Sequence, residues 1–331
     1  MTAILGIDIG KDQFMTLLLN EEQPSEPATF DNNSDGFARL QRFLKKRKLK
    51  RLHACMEATG RYYEALADFL YAQGYTVSVV NPAQIKAYGD SQLRRNKTDA
   101  LDAALIADFC RTQQPPLWTP PPPEWRQLQA LVRHLEDLQA DYQRQRNRQH
   151  ALHHAAHPAP LVSDNLDAQL TLLKQQIEQV KRAIQQHLNQ HPDLKRDKEL
   201  LTSIPGIGDL TAGKLLAEFR AIHDFDDVRQ LVAFAGLNPR QQQSGKSARG
   251  YTPISKQGRA TLRAALYMPA IVAKNHAPCL QPRVERWQEA GLCPMEIVVA
   301  MMHKLLHLVY GVLKSGQPFD PHYLEKRSAP A

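Results

Sequence analysis

The sequence predicts an α/β domain followed by a region that is helical throughout. Short apolar strand patterns alternate with helical ones up to about residue 113. A proline cluster then interrupts the chain, and beyond it only helical periodicities recur. The boundaries drawn from this are 1–113, 114–197 and 198–331.

ILGIDIG and DQFMTLLLN read as two strands joined by a tight turn at Gly10-Lys11. ATFDN is a candidate third strand. Residues 34–48 are helical, with Ser34 as the expected cap. RLHACMEA is a strand ending near Glu57, residues 61–73 are helical, and YTVSVVNP is a strand stopped by Pro82. Residues 98–113 form a helix capped by Thr98, with Leu101, Leu105, Ile106 and Phe109 facing inward.

QQPPLWTPPPPEW can be neither helix nor central strand, so it is a stiff linker or crossing segment. After it, Leu128, Leu131, Leu135, Leu138 and Tyr142 repeat at 3–4 spacing. Leu166, Leu170, Leu173, Ile177, Val180, Ile184 and Leu188 do the same, and HPAP separates the two runs. Two long helices folding back, or a coiled coil between chains, satisfy this pattern; the narrow apolar seam favours an oligomer. LLTSIPGIGDLTAGKLLAEF then reads as helix, glycine turn, helix, in the form of a helix-hairpin-helix element. Gly206 and Gly208 would offer backbone N–H groups to a phosphate at a helix start; a plain helical hairpin is the structural alternative.

The net charge is +8. From Asn238 onward there are 13 Lys and Arg against 5 Asp and Glu, so the whole excess lies there. A polyanionic partner is the natural reading. The N-terminus lacks a signal-peptide pattern, no run of some 18 apolar residues predicts a membrane span, and four scattered cysteines read as reduced thiols. His150, His153, His154 and His157 have metal-compatible spacing, but solvated histidines explain them as well.

Asp8 stands among Leu5, Ile7 and Ile9, where an acid is costly unless it is used. Glu57 ends a later strand. Asp99 and Asp102 share one face of a helix start, where the dipole alone would favour acids. The four together offer oxygen ligands to a hard cation such as Mg²⁺. In this order they resemble the D…E…D…D site of the ribonuclease-H-like, Holliday-junction-resolvase fold. Residues 239–270 are the other unusual segment: Ser244, Ser247 and Ser255 lie among Arg240, Lys246, Arg249, Lys256 and Arg259. The cations would bind phosphate; the serines read either as nucleophile or as hydrogen-bonding groups.

GIDIGKD, MEATGRYYEALADFL, VVNPAQIKAY, RRNKTDALDAALIADF, SIPGIG, FAGLNPRQQQSGKSARG and SKQGRATLRAALYMPA together resemble the transposases of insertion-sequence family one-hundred-ten and the related DNA invertases. The resemblance runs in order along nearly the whole chain. It implies a resolvase-like N-terminal domain whose acids, Asp8, Glu57, Asp99 and Asp102, hold Mg²⁺. It also implies a C-terminal transposase domain with a serine nucleophile, carried to Ser244, with Ser247 as the alternative. Donor and target DNA, a structured noncoding bridge RNA and a dimer to tetramer are the implied partners, in a bacterial, cytoplasmic, nucleoid-associated protein. The rival readings are a metal-dependent junction nuclease that uses water and a non-catalytic nucleic-acid scaffold.

Overall fold

Alternation of apolar residues makes Ala3–Ile9 (β1) and Gln13–Leu19 (β2) an antiparallel hairpin, with Leu5 opposite Leu18. Pro27–Asp31 (β3) pairs with β2, also antiparallel. In this computed structural model the described residues are 2–20, 27–47, 49, 51–58, 60–92, 98–219, 222–240 and 253–322. They divide into two compact units, 1–120 and 121–331.

In the first unit Ser34–Lys46 (α1) crosses over to Leu52–Glu57 (β4), which lies parallel to β1. Glu64–Ala72 (α2) crosses over to Thr76–Val80 (β5), parallel to β4. The sheet order is β3-β2-β1-β4-β5. Its odd face along β1, formed by Ala3, Leu5, Ile7 and Ile9, packs with Phe14, Phe37, Leu40, Leu66 and Leu70. The other face is covered by Asp99–Gln113 (α4), preceded by Pro82–Ser91 (α3).

Three local readings are corrected. The α1 cap is Asn33, not Ser34: Asn33 is extended and its side chain accepts from the Gly36 N–H at 2.9 Å. Leu101 is 39% exposed, because the first turn of α4 overhangs the sheet. Pro82 does more than stop β5; with Asn81 accepting from the Ala83 N–H at 2.9 Å it opens α3. The Thr98 cap is as expected, its hydroxyl accepting from the Leu101 N–H at 3.3 Å.

The proline segment is tied to the edge of this unit. The Trp118 N–H donates to the Val77 carbonyl at 2.7 Å, and the buried Ser78 hydroxyl donates to the Pro116 carbonyl at 2.8 Å.

In the second unit Pro123–His153 (α5) and Pro160–Gln190 (α6) fold back on each other. Their leucines do not form a separate layer. Leu128, Leu135, Ile184 and Leu188 share one core with Leu201, Leu215, Leu266 and Leu305. The boundary expected at 197 therefore coincides with no break in packing. Pro192–Thr202 (α7) and Asp209–Glu218 (α8) are consecutive helices joined by a short glycine-containing turn, followed by Val228–Ala235 (α9), Ala260–His276 (α10), Gln281–Glu289 (α11) and Pro294–Ser315 (α12). By length and apolar composition α12 would suffice to cross a membrane. Its Met301, Leu305, Leu306 and Val309 are instead fully buried in the core of this unit. His303, Lys304 and His307 interrupt it, which is why no unbroken apolar run stands in the sequence.

Candidate active site

Asp8 and Glu57 sit at the ends of neighbouring parallel strands. Pairing Gly6 with Cys55 and Ile7 with Met56 carries the next two residues, Asp8 and Glu57, alongside each other. In parallel neighbours paired residues share a face, so both acids lie on the face of Gly6 and Cys55. Both are half-buried.

That face is covered by α4, and Gly6 decides how closely. A Cβ on Gly6 would stand 2.1 Å from the Ala103 carbonyl oxygen and 2.5 Å from the Ala107 nitrogen. Only glycine admits a helix backbone there. Farther back, at the strand start, the His53 Nδ1 lies 3.5 Å from the Cys110 Sγ near the helix end. Strand start thus faces helix end, and mid-strand faces Ala103 and Ala107. Two strand residues and four helix residues advance about the same 6 Å. The strand ends, with Asp8 and Glu57, therefore face the first turn of α4, which carries Asp99 and Asp102. Asp99 is exposed and Asp102 half-buried.

Asp8, Glu57 and the helix turn bearing Asp99 and Asp102 thus lie toward the same end of the parallel strands. Among the described residues, however, no group of three or more His, Cys, Asp or Glu is close enough to hold a metal ion. The donor set is entirely carboxylate, which suits a hard, oxygen-seeking cation rather than a thiolate-seeking one.

Beneath the acids lies a polar chain that the sequence did not reveal. His53 Nε2 and the Ser78 hydroxyl are 2.8 Å apart, and Cys110 links His53 to Cys55. A hydrogen bond from Cys55 and the neighbouring His53 hold the Cys110 thiol below its ordinary value, against the opposing effect of burial. The Cys55 thiol, which bonds to Cys110 and is desolvated, is pushed up. Both cysteines are free and buried, as reduced thiols would be.

The predicted phosphate-binding residues lie in the second unit. Ser244, Lys246, Ser247 and Arg249 lie outside the described residues. The two ends of their segment are joined: the Arg240 N–H donates to the Pro253 carbonyl at 2.8 Å, and the Ser255 hydroxyl donates to Asn238 Oδ1 at 2.6 Å. Ser255 is thereby given a structural partner. Arg240, Lys256 and Arg259 are exposed. The Arg259 guanidinium stands 5.5 Å from the Phe234 ring centroid, which orients it.

Gly206 and Gly208 differ in kind. Gly206 has φ +90°, and a Cβ there would stand 2.6 Å from the Pro269 carbonyl oxygen of α10. Packing therefore requires glycine at this position. Gly208 is the exposed N-cap of α8, with open space around it and Asp209 in the first turn. The His150–His154 pair is in edge contact at 4.8 Å on an exposed helix end. It joins no metal-holding group among the described residues.

Two family models match the chain in succession: a transposase model named for IS110 and its DEDD acids over residues 5–158, and the transposase IS116/IS110/IS902 family over residues 198–285. The pilin gene-inverting protein of Moraxella bovis is 34% identical over 319 residues, covering 96% of this chain and 97% of its own. The chain belongs to the IS110 transposase family. The transposase for insertion sequence element IS1328 of Yersinia enterocolitica is 22% identical across 96% of this chain and 98% of its own. That for IS1111A of Coxiella burnetii is 26% identical across 87% and 82%. Among solved structures, Thermus thermophilus RuvC in complex with a Holliday junction substrate matches 36% of this chain and all of its own. Its TM-score is 0.28 at 12% identity, too low to bear on function. Membership makes this protein an enzyme of DNA transposition and recombination; the residues that act are a separate matter.

Proposed function

We propose that this IS110-family transposase breaks and rejoins DNA strands through a serine, with Asp8, Glu57, Asp99 and Asp102 as the ligands of Mg²⁺. The observation that carries this reading is the placement of the first turn of α4 over the ends of β1 and β4, fixed by the missing side chain at Gly6. A cation held there supplies charge neutralisation at the phosphate oxygens. Asp8 and Glu57, on rigid strands, would set its position; Asp99 and Asp102, on one helix face, would move only with α4.

Ser244 is the proposed nucleophile, by the family resemblance. Its Oγ attacks the phosphorus and loses its proton, and the bond to one DNA oxygen breaks, freeing a strand end as a hydroxyl. The phosphoserine link keeps the energy of the broken bond. A hydroxyl of another strand then reverses the step and frees the serine. Arg240, Lys246, Arg249, Lys256 and Arg259 neutralise the phosphates on either side. Gly208, at an exposed helix start, contacts the backbone elsewhere.

A structured noncoding bridge RNA chooses donor and target DNA in this reading, and the protein reads shape and backbone. The chain works in the cytoplasm on the nucleoid, as a dimer to tetramer. These points rest on the resemblance together with the cationic C-terminal region.

A trapping assay tests the chemistry. Purified protein, the flanking RNA, Mg²⁺ and labelled junction DNA are run on denaturing gels. A covalent adduct that disappears in Ser244→Ala and persists in Ser247→Ala is expected. Cutting without any adduct, undiminished in Ser244→Ala, would make water the nucleophile. Asp99→Asn or Asp102→Asn with full activity would remove the helix from the site.

A further inference from the structure

We infer that Tyr62 is a substrate-contacting residue, a stacking platform for an unpaired DNA base at the edge of the acidic site. The inference rests on the proposed reading of that site as the place where DNA is cut.

Tyr62 lies in the loop that leaves Glu57. Its backbone is held to the strand that carries Asp8: the Asn32 side-chain amide donates to the Tyr62 carbonyl at 3.0 Å and to the Gly10 carbonyl at 3.0 Å. Asn32 is itself fixed, since its N–H donates to the Asp12 carbonyl at 2.8 Å. One amide therefore joins the loop after Glu57 to the turn after Asp8, and the Tyr62 backbone is held at the same end of the sheet as both acids.

Its side chain is nevertheless 45% exposed. Tyr71, the other exposed tyrosine of this unit, meets Trp118 edge-on at 6.1 Å. Tyr62 has no aromatic partner among the described residues. Its ring lies back along its own loop, with two ring carbons 3.6 Å from where a Gly60 Cβ would stand. Arg61 beside it is exposed.

Electrostatics gives the ring its purpose. Four carboxylates at one edge repel a DNA backbone, so phosphate contacts there cannot supply affinity without a cation. Stacking is indifferent to that field, and every base has a face to offer. A ring on a fixed backbone also loses little freedom on binding, because tyrosine has only two side-chain torsions to order. Recombination must separate bases near the scissile phosphate, and an exposed ring anchored at the end of the sheet that bears the acids is placed to hold one of them.

The test uses the full-length protein and a branched DNA with a short unpaired segment at its branch point. 2-Aminopurine is placed at each unpaired position in turn, and Ca²⁺ replaces Mg²⁺ to hold back cleavage. Wild-type protein should quench the fluorescence at one position. Tyr62→Ala should lose that quenching and bind the branched DNA about 5- to 100-fold more weakly, while Tyr62→Phe and Tyr62→Trp should keep both. Unchanged quenching and binding in Tyr62→Ala would overturn the inference. Failure of Tyr62→Phe to match wild type would assign the effect to the hydroxyl and overturn it equally. Quenching of an RNA segment alone would exclude DNA as the ligand. Asp8→Asn separates the two claims. It should abolish cleavage in Mg²⁺ and keep the quenching in Ca²⁺. Full cleavage by Asp8→Asn would remove the acidic site and leave the stacking result standing by itself.

Discussion

Gly6→Ala is a one-carbon change that should be felt at the acids. The added Cβ would meet the Ala103 carbonyl oxygen at 2.1 Å, whereas ordinary contact begins at 3.4 Å. Relief therefore needs about 1.3 Å of movement. The obstacle is helix backbone, together with the Ala107 nitrogen at 2.5 Å, so no side chain can rotate aside. Either α4 lifts from the sheet or β1 bends. Overpacking of this kind costs about 1–3 kcal/mol. The functional loss should be larger in proportion: a displacement near 1 Å between reacting groups costs on the order of 100-fold in rate, and lifting α4 moves Asp99 and Asp102 away from Asp8 and Glu57. Two measurements are needed, DNA cleavage with Mg²⁺ and hydrogen exchange across α4. The expected outcome is a folded protein with faster exchange in α4 and about 100-fold slower cleavage. Wild-type cleavage with unaltered exchange would mean that α4 does not rest on β1 at Gly6, and the placement of all four acids would fall with it.

Other perturbations separate packing from chemistry. Gly311→Ala, on an exposed stretch of α12 with open space around it, should stabilise the second unit by about 0.5–1 kcal/mol in urea denaturation. Ser78→Ala leaves His53 Nε2 and the Pro116 carbonyl without their 2.8 Å partner, and should cost about 1–3 kcal/mol of first-unit stability by the same method. Gly206→Ala must displace α10 backbone at 2.6 Å and hold a φ of +90° that L side chains rarely adopt, so it should lower the thermal midpoint before any effect on DNA binding is resolved; weakened binding at an unchanged midpoint would return Gly206 to phosphate docking. Burial, aided by Lys304 and, for His307, by His303 and Arg283, lowers the values of His303 and His307. Both are neutral in the fold, so their contribution is complete above the unfolded value of about 6.5 and is lost as the pH falls through the depressed values. Acid titration of second-unit unfolding should show this loss, and His303→Gln with His307→Gln should flatten it.

Much of this was legible because period and punctuation agreed. The hairpin at Gly10, the strand ending at Glu57 and the Thr98 cap follow from alternation, turn residues and a capping hydroxyl, all local signals. The Asn33 cap was missed by one residue because Asn-Ser offers two competent caps, and the path of the chain leaving β3 decides between them. The helix after Pro82 was missed because proline both ends strands and opens helices. Asp8 stood out as an acid among isoleucines, but the pairing that brings Glu57 alongside it and the approach of α4 depend on strand register and on Gly6. A lone glycine in a strand signals close backbone approach without saying what approaches. The chain from Cys55 through Cys110 and His53 to Ser78 spans three elements, and no spacing in the sequence announces it. The helix seam pointed to a partner helix; that each helix finds the other within the same chain is a matter of tertiary packing.

The attachment of the proline segment has a mechanical consequence. A pull on the chain that joins the two units would be passed to the first unit through the residues before 121. Here that chain does not leave directly from the helix bearing Asp99 and Asp102. After Gln113 it runs along β5, where the Trp118 N–H and the Ser78 hydroxyl pin it. Tension arriving through residues 119–122 is therefore borne in shear by hydrogen bonds at the sheet edge before it reaches α4. The same strap covers part of an edge strand that would otherwise be open to pairing with another chain. That anchorage lies at the opposite end of α4 from Asp99 and Asp102.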